Sequence, residues 1–328
     1  MRARSPARRL AAGLALALVA GLLGPSAGLG MALYGDADTS AATFSTAACF
    51  PGDTTPPTVD GTVISKSVQY LPGYVRQGGQ YQVYASVSDG DCGIVSTVRA
   101  DVSALTAGQT ALILPAGTFA VGGVGYGRRS NSMTVRNPLT EGTYSYSISA
   151  TDAAGNSQTS AGFTVIVDNT RPAGVDVQAV NGGPTPGKPE AGDSVTYTFS
   201  DVIDPQSILG GWTGAPIAVV ARMTNNGSGD RLTIRNPTNT GNLPLGTVNL
   251  RGNYVAGTRL FGATGTPSTM TTTGTTITVT FGSASGATLT SAVPAAMTWP
   301  PSSTAADRAG NTCLTTTVTE SAPLDVEF

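Results

Sequence analysis

Tyr144-Ser-Tyr146-Ser-Ile148-Ser-Ala150-Thr-Asp152-Ala-Ala-Gly155-Asn156 decides the fold. Up to Ala150 it alternates apolar and polar residues, the period of a half-buried strand. Asp, Gly and Asn then make a turn, since glycine tolerates positive φ and Asp and Asn bond their own backbone. Phe163-Thr-Val165-Ile-Val167 resumes the alternation, so the segment reads as a hairpin closing a sheet. The same turn returns as Asp307-Arg-Ala-Gly-Asn311, near the end of a second strand-rich stretch. One closing hairpin used twice predicts an all-β chain of two tandem β-sandwich domains. It also points to a protein that holds, spaces or binds and performs no chemistry.

Working outward, a second repeat sets the boundaries. Asp53-Thr-Thr-Pro-Pro-Thr-Val59 and Asp168-Asn-Thr-Arg-Pro-Ala-Gly-Val175 each precede a new strand pattern. Proline breaks the preceding strand and holds the chain extended, so each reads as a linker into a sandwich. The first sandwich is expected over 55–169 and a larger one over 170–328. Strands are expected at 80–87, 95–103, 111–114, 132–135, 143–150 and 162–167, with Tyr81, Val83, Ala85 and Val87 on one face opposite Tyr144, Tyr146 and Ile148. In the second sandwich, alternation is clear in Ile217-Ala-Val219-Val-Ala221, Leu232-Thr-Ile234, Ile277-Thr-Val279-Thr-Phe281 and Met297-Thr-Trp299. The stretch 236–285 is expected to carry extra strands or a long excursion.

Composition agrees. The 328 residues include 42 Gly and 21 Pro, and charged residues make up 12%, against about 25% in an average chain. A net charge of −2 gives no field for nucleic acid. Upstream, residues 1–32 read as a signal peptide. Arginines at 2, 4, 8 and 9 precede an apolar run over 10–23, which is short for a membrane span of about 20 residues. Two cleavage points are considered, after Ala27 with Pro25 at −3 and after Ala32 with Gly30 at −3. Processing after Ala32 is the expectation, with 33–54 as a linker and no stable membrane span afterwards. The C-terminal residues 321–328 carry no LPxTG signal, apolar span or basic tail, so the protein is expected to be released or held non-covalently.

Two resemblances rest on these residues. The stretch 30–47 resembles signal peptides processed by SipW-type peptidases, found on TasA-like biofilm fibre proteins and on many secreted actinobacterial proteins. Pro-Pro-Thr-Val59, then Gly142-Thr-Tyr-x-Tyr-x-Ile-x-Ala-Thr-Asp-Ala-Ala-Gly-Asn156, then Thr164-Val-x-Val-Asp-Asn-Thr-x-Pro172 resembles bacterial immunoglobulin-like repeats. The second domain, on Val195-Thr-Tyr-Thr-Phe-Ser-Asp-Val-Ile-Asp-Pro-Gln-Ser-Ile208 and its closing Asp-Arg-Ala-Gly-Asn, resembles the SbsA-like type of S-layer proteins. Tyr144, early in its strand, is similar to the tyrosine corner of Greek-key sandwiches. These resemblances imply tandem Ig-like sandwiches, and they imply little about function, because the architecture hosts adhesins, spacers and enzyme accessory modules alike.

Catalysis is argued against by residue type. The chain has no histidine, which removes Ser-His-Asp, Cys-His and imidazole-metal sites. Its only glutamates are Glu141, Glu190, Glu320 and Glu327, and the aspartates fall mainly at turns. No catalytic residue and no cofactor is therefore expected. The sharper idea is calcium, which takes six to eight oxygen ligands. Asp89, Asp91 and Asp152 would supply carboxylates if the loop after 80–87 and the closing hairpin share one sandwich end. Asp201, Asp204 and Asp307 repeat that arrangement. The competing reading is solvated turn aspartates.

Several further residues draw attention. Of three cysteines, Cys49 and Cys92 are the candidate disulfide and Cys313 is left over. Lys66 with Glu141, and Lys188 with Glu190, have the residue types of an isopeptide crosslink, with surface lysines as the ordinary explanation. Trp299 reads as core. Trp212, after Gly210-Gly211, reads as an exposed contact. The expected function is a secreted, non-catalytic structural or adhesive protein of the envelope or matrix, with self-assembly open. The alternative is a module binding an extracellular polysaccharide or protein through loops at one sandwich end.

Overall fold

The computed structural model describes residues 52–66, 71–90, 94–227, 229–291, 293–322 and 326–328. All belong to one compact unit. The chain is all-β as expected: among the described residues the one helix is Pro205–Ile208, and none is long and apolar enough to cross a membrane. The signal helix and the cleavage point at Ala32 lie outside the described residues.

In the first sandwich, Thr58–Ser65, Gln80–Ser88, Val124–Arg129 and Ala116–Val121 lie side by side in that order. The facing sheet runs Tyr74–Val75, Ser157–Val167, Gly142–Asp152, Val95–Asp101, Leu112–Ile113. The quoted hairpin is there: Gly142–Asp152 pairs antiparallel with Ser157–Val167, with Tyr146 opposite Phe163 and Tyr144 opposite Val165. Its alternation buries Tyr146, Ile148 and Ala150 against Tyr81, Val83 and Ala85 of the other sheet. Full burial of such a side chain contributes about 1.5–3 kcal/mol. Tyr144 Oη donates to the Thr140 carbonyl at 2.9 Å, the backbone tie of a tyrosine corner.

A hairpin absent from the sequence reading covers the outer face of this sandwich. Ala116–Val121 and Val124–Arg129 turn through Gly122 and Gly123, both at positive φ (58° and 80°). Two consecutive positive-φ residues make the primed turn whose twist suits a two-residue hairpin. Phe119 meets Tyr84 edge-on at 6.3 Å, which buries Tyr84 on the face away from the core.

The second sandwich is one continuous strand path folded into two layers. Strand Ile217–Thr224 belongs to both: Ile217–Val219 pairs with Ser268–Thr273, and its remainder pairs with Arg231–Arg235 on one side and Arg259–Phe261 on the other. The stretch 236–285 holds the extra strands Asn242–Asn249, Arg259–Phe261, Ser268–Thr273 and Thr276–Thr280. At the centre of the core, Trp299 is fully buried. It stands edge-on to Tyr197 at 5.2 Å and Phe199 at 5.1 Å.

The linker at 168–173 is bonded on both sides. Asn169 accepts from Gln77 N at 2.8 Å and donates to the Leu139 carbonyl. Glu141 Oε1 accepts from Asn169 N and the Thr170 hydroxyl. Towards the second sandwich, Arg171 donates to the Thr312 carbonyl at 2.7 Å and the Cys313 carbonyl at 3.0 Å, and Leu314 N donates to the Pro172 carbonyl.

Candidate functional site

Each sandwich gathers three carboxylates at the end where its linker arrives. In the first, one oxygen each of Asp53, Asp89 and Asp152 lie within 4.8 Å of one another; in the second the set is Asp168, Asp201 and Asp307. Both acidic brackets are built from the same three pieces: the aspartate opening the linker, the aspartate just past an early core strand, and the first residue of the closing turn.

The closing turns fix two corners. Asp152 Oδ1 accepts from Gly155 N at 2.7 Å and Asn156 N at 2.8 Å, while Oδ2 accepts from Asn156 Nδ2 at 2.9 Å. Asn156 Nδ2 also donates to the Asp53 carbonyl at 3.0 Å, which ties the linker to the turn. Gly155 sits at φ 98°, which explains a glycine there. In the second bracket Asp307 Oδ1 accepts from Gly310 N and Asn311 N at 2.7 and 2.8 Å, and Asn311 Nδ2 reaches Asp307 Oδ2 and the Asp168 carbonyl, each at 2.9 Å. The Asp-x-x-Gly-Asn motif is thus a device for holding a carboxylate still and gripping a linker.

The brackets differ in charge. Asp201 Oδ1 lies 3.1 Å from Arg308 Nη2. That guanidinium stacks 4.0 Å over the Tyr74 ring of the first sandwich and donates to Tyr74 Oη at 2.9 Å. Lys66, also from the first sandwich, donates to the Asp307 carbonyl at 3.1 Å and lies 3.4 Å from Asp204 Oδ2. In the first bracket, neither Asp89 nor Asp152 has an ion pair among the described residues. Both Asp89 carboxylate oxygens are shut off from solvent and have no hydrogen-bond partner among the described residues.

Protonation follows these surroundings. Burial pushes the Asp152 carboxyl up, but the Asn156 amide and the backbone N–H groups outweigh it and hold the group below its usual range. Burial raises Asp307 despite the same hydrogen bonds. Burial also raises Asp168, helped by the neighbouring Asp307, Asp201 and Glu141.

The structure brings Asp89 and Asp152 together, and Asp91 lies outside the described residues. Asp53, read as linker, is the missed third member. Its signal was the shared Asp-x-Thr that begins both linkers, which places Asp53 and Asp168 in equivalent positions. Asp204 is corrected: it is not in the second bracket, whose third place belongs to Asp168. It instead begins the short helix, accepting from Gln206 N at 3.0 Å, and faces Lys66. Lys66 is correspondingly an interface lysine and not a surface one. Lys188 pairs with Glu190 at 2.7 Å.

Trp212 is also corrected. It is 2% exposed and donates from Nε1 to the Ala215 carbonyl at 2.7 Å, so it packs in the second core and makes no surface contact. Cys49 and Cys92 lie outside the described residues. Cys313 is a free, buried thiol, and burial pushes its pKa up to about 11. A thiolate is the reactive form, so Cys313 is expected to resist alkylation at neutral pH until the protein is unfolded. Peptide mapping after iodoacetamide treatment of the native protein checks this, and rapid native labelling of Cys313 would contradict it.

Residues 95–169 match the family model of a bacterial Ig-like domain. No curated protein matches the chain. The matched stretch contains the closing hairpin, Asp152 and Asp168, and stops short of Asp53 and Asp89. Such domains are generally non-enzymatic modules of surface or extracellular proteins.

Proposed function

We propose that this protein is a secreted, non-catalytic structural or adhesive component of the bacterial envelope or extracellular matrix, acting by contact and by holding two Ig-like sandwiches in a fixed relation. The observation that carries this reading is the linker at 168–173, which hydrogen-bonds to Gln77, Leu139 and Glu141 behind it and to Thr312, Cys313 and Leu314 ahead. Inter-domain linkers are by default mobile, and a spacer requires the opposite. Trp212 and Trp299 are both buried, so neither serves as a stacking platform for a glycan, which supports the structural reading over the glycan-binding one.

Within this reading the first bracket is a calcium site. Asp53, Asp89 and Asp152 supply three carboxylates towards the six to eight oxygens calcium takes, the rest coming from carbonyls and water. The unpartnered Asp89 carboxylate is the group that gains most. Calcium would pin the chain arriving at the first sandwich to its closing turn.

Two experiments test this. Fractionation of the native producer, with light scattering of the purified protein over a concentration series, is expected to show surface retention or assembly. A freely dispersed monomer that turns over a polysaccharide or peptide would overturn the reading. A saturating calcium concentration, a hundredfold over Kd, stabilises by about 2.7 kcal/mol. That is expected to raise the melting temperature by several degrees, reversed by chelator and absent in Asp89→Asn. An unchanged melt at millimolar calcium would remove the ion from the proposal.

A further inference from the structure

The two brackets share their scaffold but differ at the residue after the turn aspartate, Ala153 in the first and Arg308 in the second. From the geometry we propose that Arg308 is a built-in substitute for a metal ion: its guanidinium takes, in the second bracket, the role that a divalent cation from solution takes in the first. The junction between the sandwiches is thereby locked without an ion, and only the N-terminal end of the first sandwich responds to calcium. The wild-type stoichiometry rests on the calcium reading of the first bracket; the role of Arg308 does not.

Position and charge both assign Arg308 this role. Asp168, Asp201 and Asp307 approach as closely as the first set does, and like charges at that range oppose one another unless a positive group intervenes. Arg308 supplies it at 3.1 Å from Asp201. The group is held from the far side by Tyr74, which lies under the guanidinium face at 4.0 Å and accepts from Nη1 at 2.9 Å. A flat, always-charged guanidinium that stacks on an aromatic ring suits this role better than a lysine would. Because Tyr74 belongs to the other sandwich, the group that pairs with Asp201 also fastens the junction. In the first bracket the Ala153 methyl offers no charge, and among the described residues Asp89 keeps two buried oxygens without a partner.

The test uses the full mature chain and calcium alone as probe. Both tryptophans lie in the second sandwich, so tryptophan fluorescence reports its melt, while equilibrium dialysis counts bound calcium. Wild type is expected to bind one ion and Asp89→Asn none. In the Asp89→Asn background, adding Arg308→Gln is expected to create one new site and to make the tryptophan melt rise by several degrees with millimolar calcium. Arg308→Ala should do the same, and it keeps the test available if the glutamine variant fails to fold. Arg308→Lys should create no site. Two ions bound by wild type, or no gained binding in either neutral variant, would overturn the role of Arg308. Wild type binding none while the neutral variants gain a site would overturn only the calcium reading of the first bracket.

Discussion

Trp299→Ala is expected to destabilise the second sandwich by about 3–5 kcal/mol, the usual cost of emptying a buried aromatic site. Three losses coincide there. The indole is fully buried, its edge-on contacts with Tyr197 and Phe199 disappear, and the Leu245 carbonyl loses the Nε1–H donor at 2.6 Å. Close backbone limits how far the cavity can collapse: Gly246, at φ 88°, has no room for even a Cβ beside the indole nitrogen and the Pro300 carbonyl. Domains are stable by only about 5–15 kcal/mol, so this one change takes much of the total. Urea titration followed through Trp212 fluorescence measures it. A change below about 1 kcal/mol would mean the site repacks and that Trp299 is not the centre of the core.

The second large effect is alkaline. Burial pushes the Tyr146 phenol up to about 12, helped slightly by Tyr126 and opposed by its hydrogen bond with Thr62. Tyr197 and Tyr254 are raised further, again chiefly by burial. The unfolded phenol titrates near 10, so the folded state holds its proton more tightly. That contribution to stability is fully present below pH 10 and is lost as pH rises through the folded value. For Tyr146 a difference of about two units corresponds to about 3 kcal/mol. Urea midpoints are therefore expected to be flat from pH 7 to 9 and to fall steeply between about 10 and 12. Absorbance at 295 nm should show these phenols ionising together with unfolding. The Tyr197 hydroxyl has no hydrogen-bond partner among the described residues, so Tyr197→Phe should keep the fold and soften the alkaline decline. A decline unchanged by that substitution would assign it to other groups.

What could be read from the sequence was local. The closing hairpin shows because its inward residues, Tyr146, Ile148 and Ala150, alternate with serines over consecutive positions. The hairpin Ala116–Val121 with Val124–Arg129 does not show, since glycine fills many of its positions and only the partly buried Phe119 and Tyr126 bring rings to Tyr84. Its signal was the Gly122-Gly123 pair at the turn. Trp212 follows two glycines in a loop, and nothing nearby in sequence tells that other strands of the sandwich close over it. The brackets lay in between. Asp152 was marked by its motif, but Asp53 joins it across 99 positions of chain, a closeness visible only in the matching offsets of the two linkers. Arg308 carried no pattern of its own, because its role depends on Tyr74 arriving from the other sandwich.

The linker geometry also bears on force. A pull applied at residue 168 does not reach the second core directly. It first loads the Asn311 amide on the Asp168 carbonyl, then the two Arg171 contacts and the Leu314–Pro172 bond, all within a few residues of chain. These bonds load in succession and join backbone and polar groups, not core side chains, so they can part and re-form while both sandwiches stay folded. The junction is in effect a mechanical fuse, yielding a short length of slack under tension before either domain is put at risk.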